Sequence, residues 1–168
     1  LDAGILPSHI GFESAIGADC WTTTRSIAAE NSPYYETGIK VGYTTANDQL
    51  HLAFLVVNGW QRIKKPDYIQ SPSVGLQLNY KANDKLTFNY SNFIGTDQPD
   101  SLHSIRTFHN VFMQFLPARQ LGLIFSFDIG TDKYNLKEYG IWHSPVLILR
   151  YPLNEKSAIA IRGEYYAD

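Results

Sequence analysis

The chain has 168 residues, a net charge of −2 at neutral pH and 14% aromatic residues. That length suits one domain with a real core, and scattered basic residues give no footprint for nucleic acid. A single cysteine, Cys20, excludes an internal disulfide and a structural cysteine–zinc site, and no apolar run reaches the ~18–20 residues of a membrane-spanning helix.

The opening stretch LDAGILP reads as the tail of a β-strand. Residues 7–33 then form a long loop rich in Gly and Ser, carrying Glu13, Asp19, Arg25 and Glu30 beside Phe12 and Trp21. Beyond residue 33 the pattern has period two, which places alternate side chains on opposite faces of a strand. In YYETGIKVGY, Tyr35, Ile39, Val41 and Tyr43 share one face, while Glu36 and Lys40 share the other. The turn TAND and the strand QLHLAFLVVNG follow. SVGLQLNYK, the turn KAND and KLTFNYSNF read as a second hairpin. SIRTFHNVFMQFL, the turn PARQ and LGLIFSFDIG read as a third. EYGIWHSPVLILRY, the turn PLNE and KSAIAIRGEYY read as a fourth.

This makes about eight strands, long for a globular sheet and close to the ~9–11 residues with which a tilted strand crosses a bilayer. Connections alternate between tight turns and longer links at 6–33, 59–71, 94–103 and 130–137. Short turns at one end and long loops at the other predict an all-β, antiparallel up-and-down transmembrane β-barrel, with short periplasmic turns and long external loops. Residues 1–168 are expected to form one barrel domain or a segment of a larger barrel.

Side-chain volume decides which face points inward. Leu121, Leu123, Phe125, Phe127 and Ile129 on one strand, with Ile141, Leu147 and Leu149 on another, would overfill a narrow barrel. They are expected to meet lipid. The opposite parity carries Glu36, Lys40, Gln77, Asn79, Asn89, Arg106, Asn110, Gln114, Asp128, Arg150, Arg162 and Glu164, which are candidates to line a wet lumen. A paired network of charges that plugs a narrow barrel is the competing reading of the same residues. Tyr43, Tyr80, Phe115 and Tyr151 beside the tight turns, and Tyr35, Tyr90, Trp60 and Tyr139 near the long links, are candidates for two interfacial girdles. Aromatics are also simply common in strands.

Catalysis finds little support. His143 and Ser144 are adjacent on a strand and so face opposite ways. The five His residues form no ligand spacing for a metal, and no phosphate or dinucleotide loop is present, so neither metal nor cofactor is expected.

DAGILPSHIGFESAIG, NSPYYETGIKVGY and VVNGWQRI resemble the OmpL-like β-barrel porins of Gram-negative outer membranes. The likeness is strongest over roughly the first 65 residues and continues as a strand–turn pattern to the end. It implies a non-enzymatic outer-membrane porin that passes small polar solutes by diffusion, with outer-membrane lipid and those solutes as its partners. Because such porins are longer, it also implies that this chain is an interior segment of one. Residues 7–33 are then the candidate constriction or lid, folded into the lumen, with an ordinary solvated external loop as the alternative. A soluble ligand-binding β-barrel with its large residues turned inward, a non-conducting membrane-anchoring barrel, and assembly as a homo-oligomer all stay open.

Overall fold

In the computed structural model, which describes residues 1–118, 121–134 and 138–168, the alternating segments form one antiparallel sheet of nine strands in sequence order. The strands are β1 (Asp2–Pro7), β2 (Tyr35–Thr44), β3 (Leu50–Val57), β4 (Ser73–Asn83), β5 (Leu86–Gly95), β6 (Ile105–Ala118), β7 (Leu121–Tyr134), β8 (Glu138–Asn154) and β9 (Ser157–Glu164). The strand additional to the expected eight or so is β1, the LDAGILP tail, which pairs with β2 from Asp2↔Lys40 to Pro7↔Tyr35. The one α-helix among the described residues is α1 (Ile27–Glu30), capped by the Ser26 side chain. None of those residues forms a helix long and apolar enough to cross a membrane.

Local chemistry sets the tight turns. The Asn83 side-chain oxygen accepts from the Lys85 N–H at 2.9 Å, and that of Asn154 accepts from the Lys156 N–H at 2.9 Å. Both are the short side-chain bonds by which asparagine mimics a backbone turn. Each falls where the ladder shifts register, between Lys81 and Asn83 and between Pro152 and Asn154.

One connection differs from expectation. The link expected over 130–137 is strand as far as Tyr134, which pairs with Glu138. The Thr131 hydroxyl bonds that of Thr107 at 2.7 Å and Asp132 binds Arg106, so Thr131 and Asp132 of the expected link are held in the ladder by side chains from β6. Residues 135–137 lie outside the described residues, as do Arg119 and Gln120 of the expected PARQ turn.

The two faces have opposite characters. The outer face exposes large apolar side chains, among them Val41, Phe54, Phe125, Leu147 and Ile161. The inner face is covered by residues 8–32 and by Trp60 from the β3–β4 connection. It differs from the small and polar surface expected, because it carries two apolar clusters. Leu55, Val57, Phe93, Phe108 and Trp142 gather with Ile10, and Ile124, Val146 and Ile148 gather with Ala28. The sheet is open: β1 pairs with β2 and β9 with β8, and among the described residues no ladder joins β1 to β9.

Candidate functional site: the inner face and the segment that crosses it

The antiparallel register carries every predicted lumen residue to the inner face. Gln77 pairs with Ser91, Asn79 with Asn89, Gln114 with Ile124, Asn110 with Asp128, and Arg150 with Gly122 and Ala160. Residues paired across a ladder point to the same side, and Ser91, Asn110, Ser126, Asp128 and Ser144 are buried there.

Residues 8–32 run across this face from β2 to β9. His9 anchors the start. Its Nδ1 lies 2.6 Å from the Glu36 carboxylate, which is fully buried, and its Nε2 lies 2.8 Å from the Asn92 carbonyl. Gln77 donates to the His9 carbonyl at 3.0 Å and stands 3.4 Å from the Asn89 side chain. Gly75 makes room for the imidazole, because a Cβ there would stand 2.6 Å from Nε2. Further along, Phe12 meets Phe112 edge-on at 6.0 Å. Glu13 accepts from the Ser26 N–H and hydroxyl at 2.8 and 2.5 Å, tying the segment to itself. Trp21 lies over Gly122, where a Cβ would come within 2.5 Å of the ring.

The far end is held by β9. Arg162 donates to the Thr22 and Thr24 hydroxyls and to the Thr24 carbonyl. Glu164, 3.0 Å from the Arg162 guanidinium, accepts from the Ile27 N–H at 2.8 Å. The other charged residues of the segment bond locally. Arg25 pairs with Glu30 at 3.5 Å and lies over the Tyr34 ring, Glu30 accepts from the Tyr34 hydroxyl, and exposed Asp19 accepts weakly from Ser14 at 3.5 Å.

A second polar centre occupies the long-connection end. Arg106 makes a two-pronged bond to Asp132 at 2.8 and 2.7 Å and reaches Asp97 at 3.4 Å. Its guanidinium also lies 5.2 Å from the Trp60 ring and 5.6 Å from the Trp142 ring. Arg106, Asp132, Trp60 and Trp142 line an open cavity of about 310 Å³ with Tyr166. Lys40 pairs with Asp2 at 3.4 Å, and Asp128 accepts from Asn110 at 2.5 Å.

The aromatic residues divide. Tyr43, Tyr80, Phe115, Tyr139 and Tyr151 are exposed on the outer face, and Tyr35 is half-buried at the start of β2. Trp60 departs from a girdle position: its ring packs edge-on against Phe93 and Phe108 at 5.0 and 5.1 Å, on the inner face. Tyr90 lies in the middle of β5 rather than at its loop end, its hydroxyl 2.8 Å from His109 Nδ1. His143 and Ser144 do fall on opposite sides. His143 stands between Phe127 and Tyr165, while Ser144 donates inward to the Tyr165 carbonyl.

Sequence reasoning missed His9, Asp132 and Trp142. Asp132 and Trp142 carried a usable signal, since each continues the parity of a lumen candidate or its partner, Asp128 and Ser144. His9 sits in an aperiodic loop and carried none. Among the described residues no group of acidic, His and Cys side chains is arranged to hold a metal.

A meander of long antiparallel strands, apolar outside and crossed inside by a folded-back segment, is the architecture of a transmembrane β-barrel wall. The chain belongs to the family described as "Putative beta-barrel porin-2, OmpL-like", whose sequence model matches residues 1–168. No curated protein and no solved structure matches it.

Proposed function

We propose that the chain forms wall and constriction of an outer-membrane porin through which small polar solutes diffuse passively. The carrying observation is residues 8–32, held by polar bonds across the inner face from Glu36 to Glu164, behind an outer face of exposed large apolar side chains. Lipid contacts the outer face, because alternation puts the apolar residues there. Tyr43, Tyr80, Phe115 and Tyr151 at the turn end supply one interfacial girdle. In hydrocarbon the free edges of β1 and β9 need strand partners, and such partners complete the wall. The inner-face polar residues then set the width and field of the path, and the chemistry requires no catalytic group.

A second reading has its own support. The apolar inner clusters around Leu55, Phe108 and Ile148 are those of a filled interior, which suits a non-conducting barrel that anchors in the membrane. Planar-bilayer recording separates the two. Discrete conductance steps that widen when residues 14–24 are replaced by a short Gly–Ser link support the porin. A membrane-inserted protein that passes no current, with or without the segment, supports the anchor.

A further inference from the structure

We propose that the tight-turn end of the inner face is a subsite for small organic anions with a flat apolar body, built from Arg150, Trp21 and Lys85. The proposal rests on the channel reading above and adds the chemical class of its solute. A cavity of about 450 Å³ opens at this end, walled by these three residues together with Leu116, Gly122 and Pro152. That size lies within the ~300–1,000 Å³ of small-molecule sites.

Arg150 differs from the other arginines of the inner face. Arg106 and Arg162 each hold a carboxylate, Asp132 at 2.7 Å and Glu164 at 3.0 Å. Among the described residues, the partner of Arg150 is the Trp21 ring, 5.8 Å from the guanidinium carbon, and no carboxylate lies within ion-pairing distance. Its ladder neighbours are Gly122 and Ala160, too small to cover it. The carboxylates Glu36, Asp128, Asp132 and Glu164 stand further from the tight turns along their strands, Asp2 pairs with Lys40, and in the crossing segment Glu13 bonds Ser26 and Asp19 bonds Ser14. The turn acids Asp84 and Glu155 are not among the cavity walls. A half-buried guanidinium in such surroundings favours an anion, and its planar fork matches a carboxylate with two parallel bonds.

The rest of the cavity selects the body of the solute. Trp21 is seated over Gly122 and offers a flat aromatic surface beside the cation, and Leu116 and Pro152 add apolar wall. Lys85, exposed in the β4–β5 turn, adds a second positive charge at the mouth. A ring-bearing monocarboxylate satisfies both parts, whereas a neutral ring of the same size satisfies only the apolar part.

Titration of the full chain in detergent micelles with benzoate, and separately with benzyl alcohol, followed by tryptophan fluorescence, tests this. Benzoate should give a saturable change that benzyl alcohol does not match. Arg150→Gln should weaken benzoate binding by about tenfold or more, in line with a lost charge-assisted bond, and Arg150→Lys should restore part of it. Lys85→Gln, in an exposed turn, should weaken it several-fold. Trp21→Phe should remove most of the signal while Trp60 and Trp142 remain. Equal responses to benzoate and benzyl alcohol, or unchanged benzoate binding in Lys85→Gln and Arg150→Gln, would overturn the subsite. Failure of the channel reading shows elsewhere, as absent bilayer conductance in a protein that still binds benzoate.

Discussion

Glu36 is a carboxylate with no solvent exposure, and His9 is its hydrogen-bond partner at 2.6 Å. Glu36→Ala leaves the imidazole buried without that acceptor, and the expected cost is about 1–3 kcal/mol. Urea unfolding in micelles measures it; an unchanged midpoint would show that the pair adds nothing to stability. Cys20 gives a second test. Burial, and then the nearby Glu13 charge, push its thiol above the ordinary value, so the thiolate fraction at neutral pH is small. Iodoacetamide should therefore react slowly near pH 7, faster only well into the alkaline range, and faster in Glu13→Gln. Rapid alkylation of the folded protein near pH 7 would contradict this environment. Sequence made Glu36 visible, because strand parity sets it on the face opposite the large apolar side chains, and their volume turns that face inward. It could not show His9, whose place is set by the Gly75 gap and the Asn92 carbonyl on strands more than 60 residues away.

Residues 8–32 behave as a strap with two fastenings. Arg162→Ala removes the bonds to Thr22 and Thr24 while leaving the β8–β9 ladder intact. Limited proteolysis should then cut between residues 14 and 26 faster than in the unaltered protein, with the strands still resistant. A cleavage pattern indifferent to the substitution would mean that the Arg162 bonds do not hold this end. Gly122→Leu should displace Trp21 from its seat and shift tryptophan emission to the red, since even a Cβ at that position meets the ring at 2.5 Å. The strands themselves were legible from alternation. The end of β7 was not, because Gly130, Thr131 and Asp132 resemble a turn in composition and only cross-strand bonds to Thr107 and Arg106 keep them extended. The direction of the strap was equally beyond the sequence, since it depends on contacts with seven separate strands' inner side chains and backbone rather than on any local pattern.

The division between faces decides where the protein is stable. Phe125→Arg on the outer face should cost about 2–4 kcal/mol if the residue lies near the bilayer midplane, measured by unfolding from lipid vesicles. A neutral effect would remove the lipid assignment of that face. The barrel class was readable because strands such as β2, β4 and β5 repeat the same alternation, whereas the apolar inner clusters were obscured by strands such as β3, where Leu52 to Val57 are apolar at every position. The meander has a further consequence, in the order of assembly. Each strand pairs with its sequence neighbour, so the wall can grow strand by strand through local closures. The strap breaks that rule, since the bond from Ile27 to Glu164 joins residues 137 apart. Residues 8–32, which precede the strands that hold them, therefore reach their fastening on Glu164 only when β9 is in place. Their docking serves as a clock for the joining of β9, open to protease before that strand arrives and closed to it afterwards.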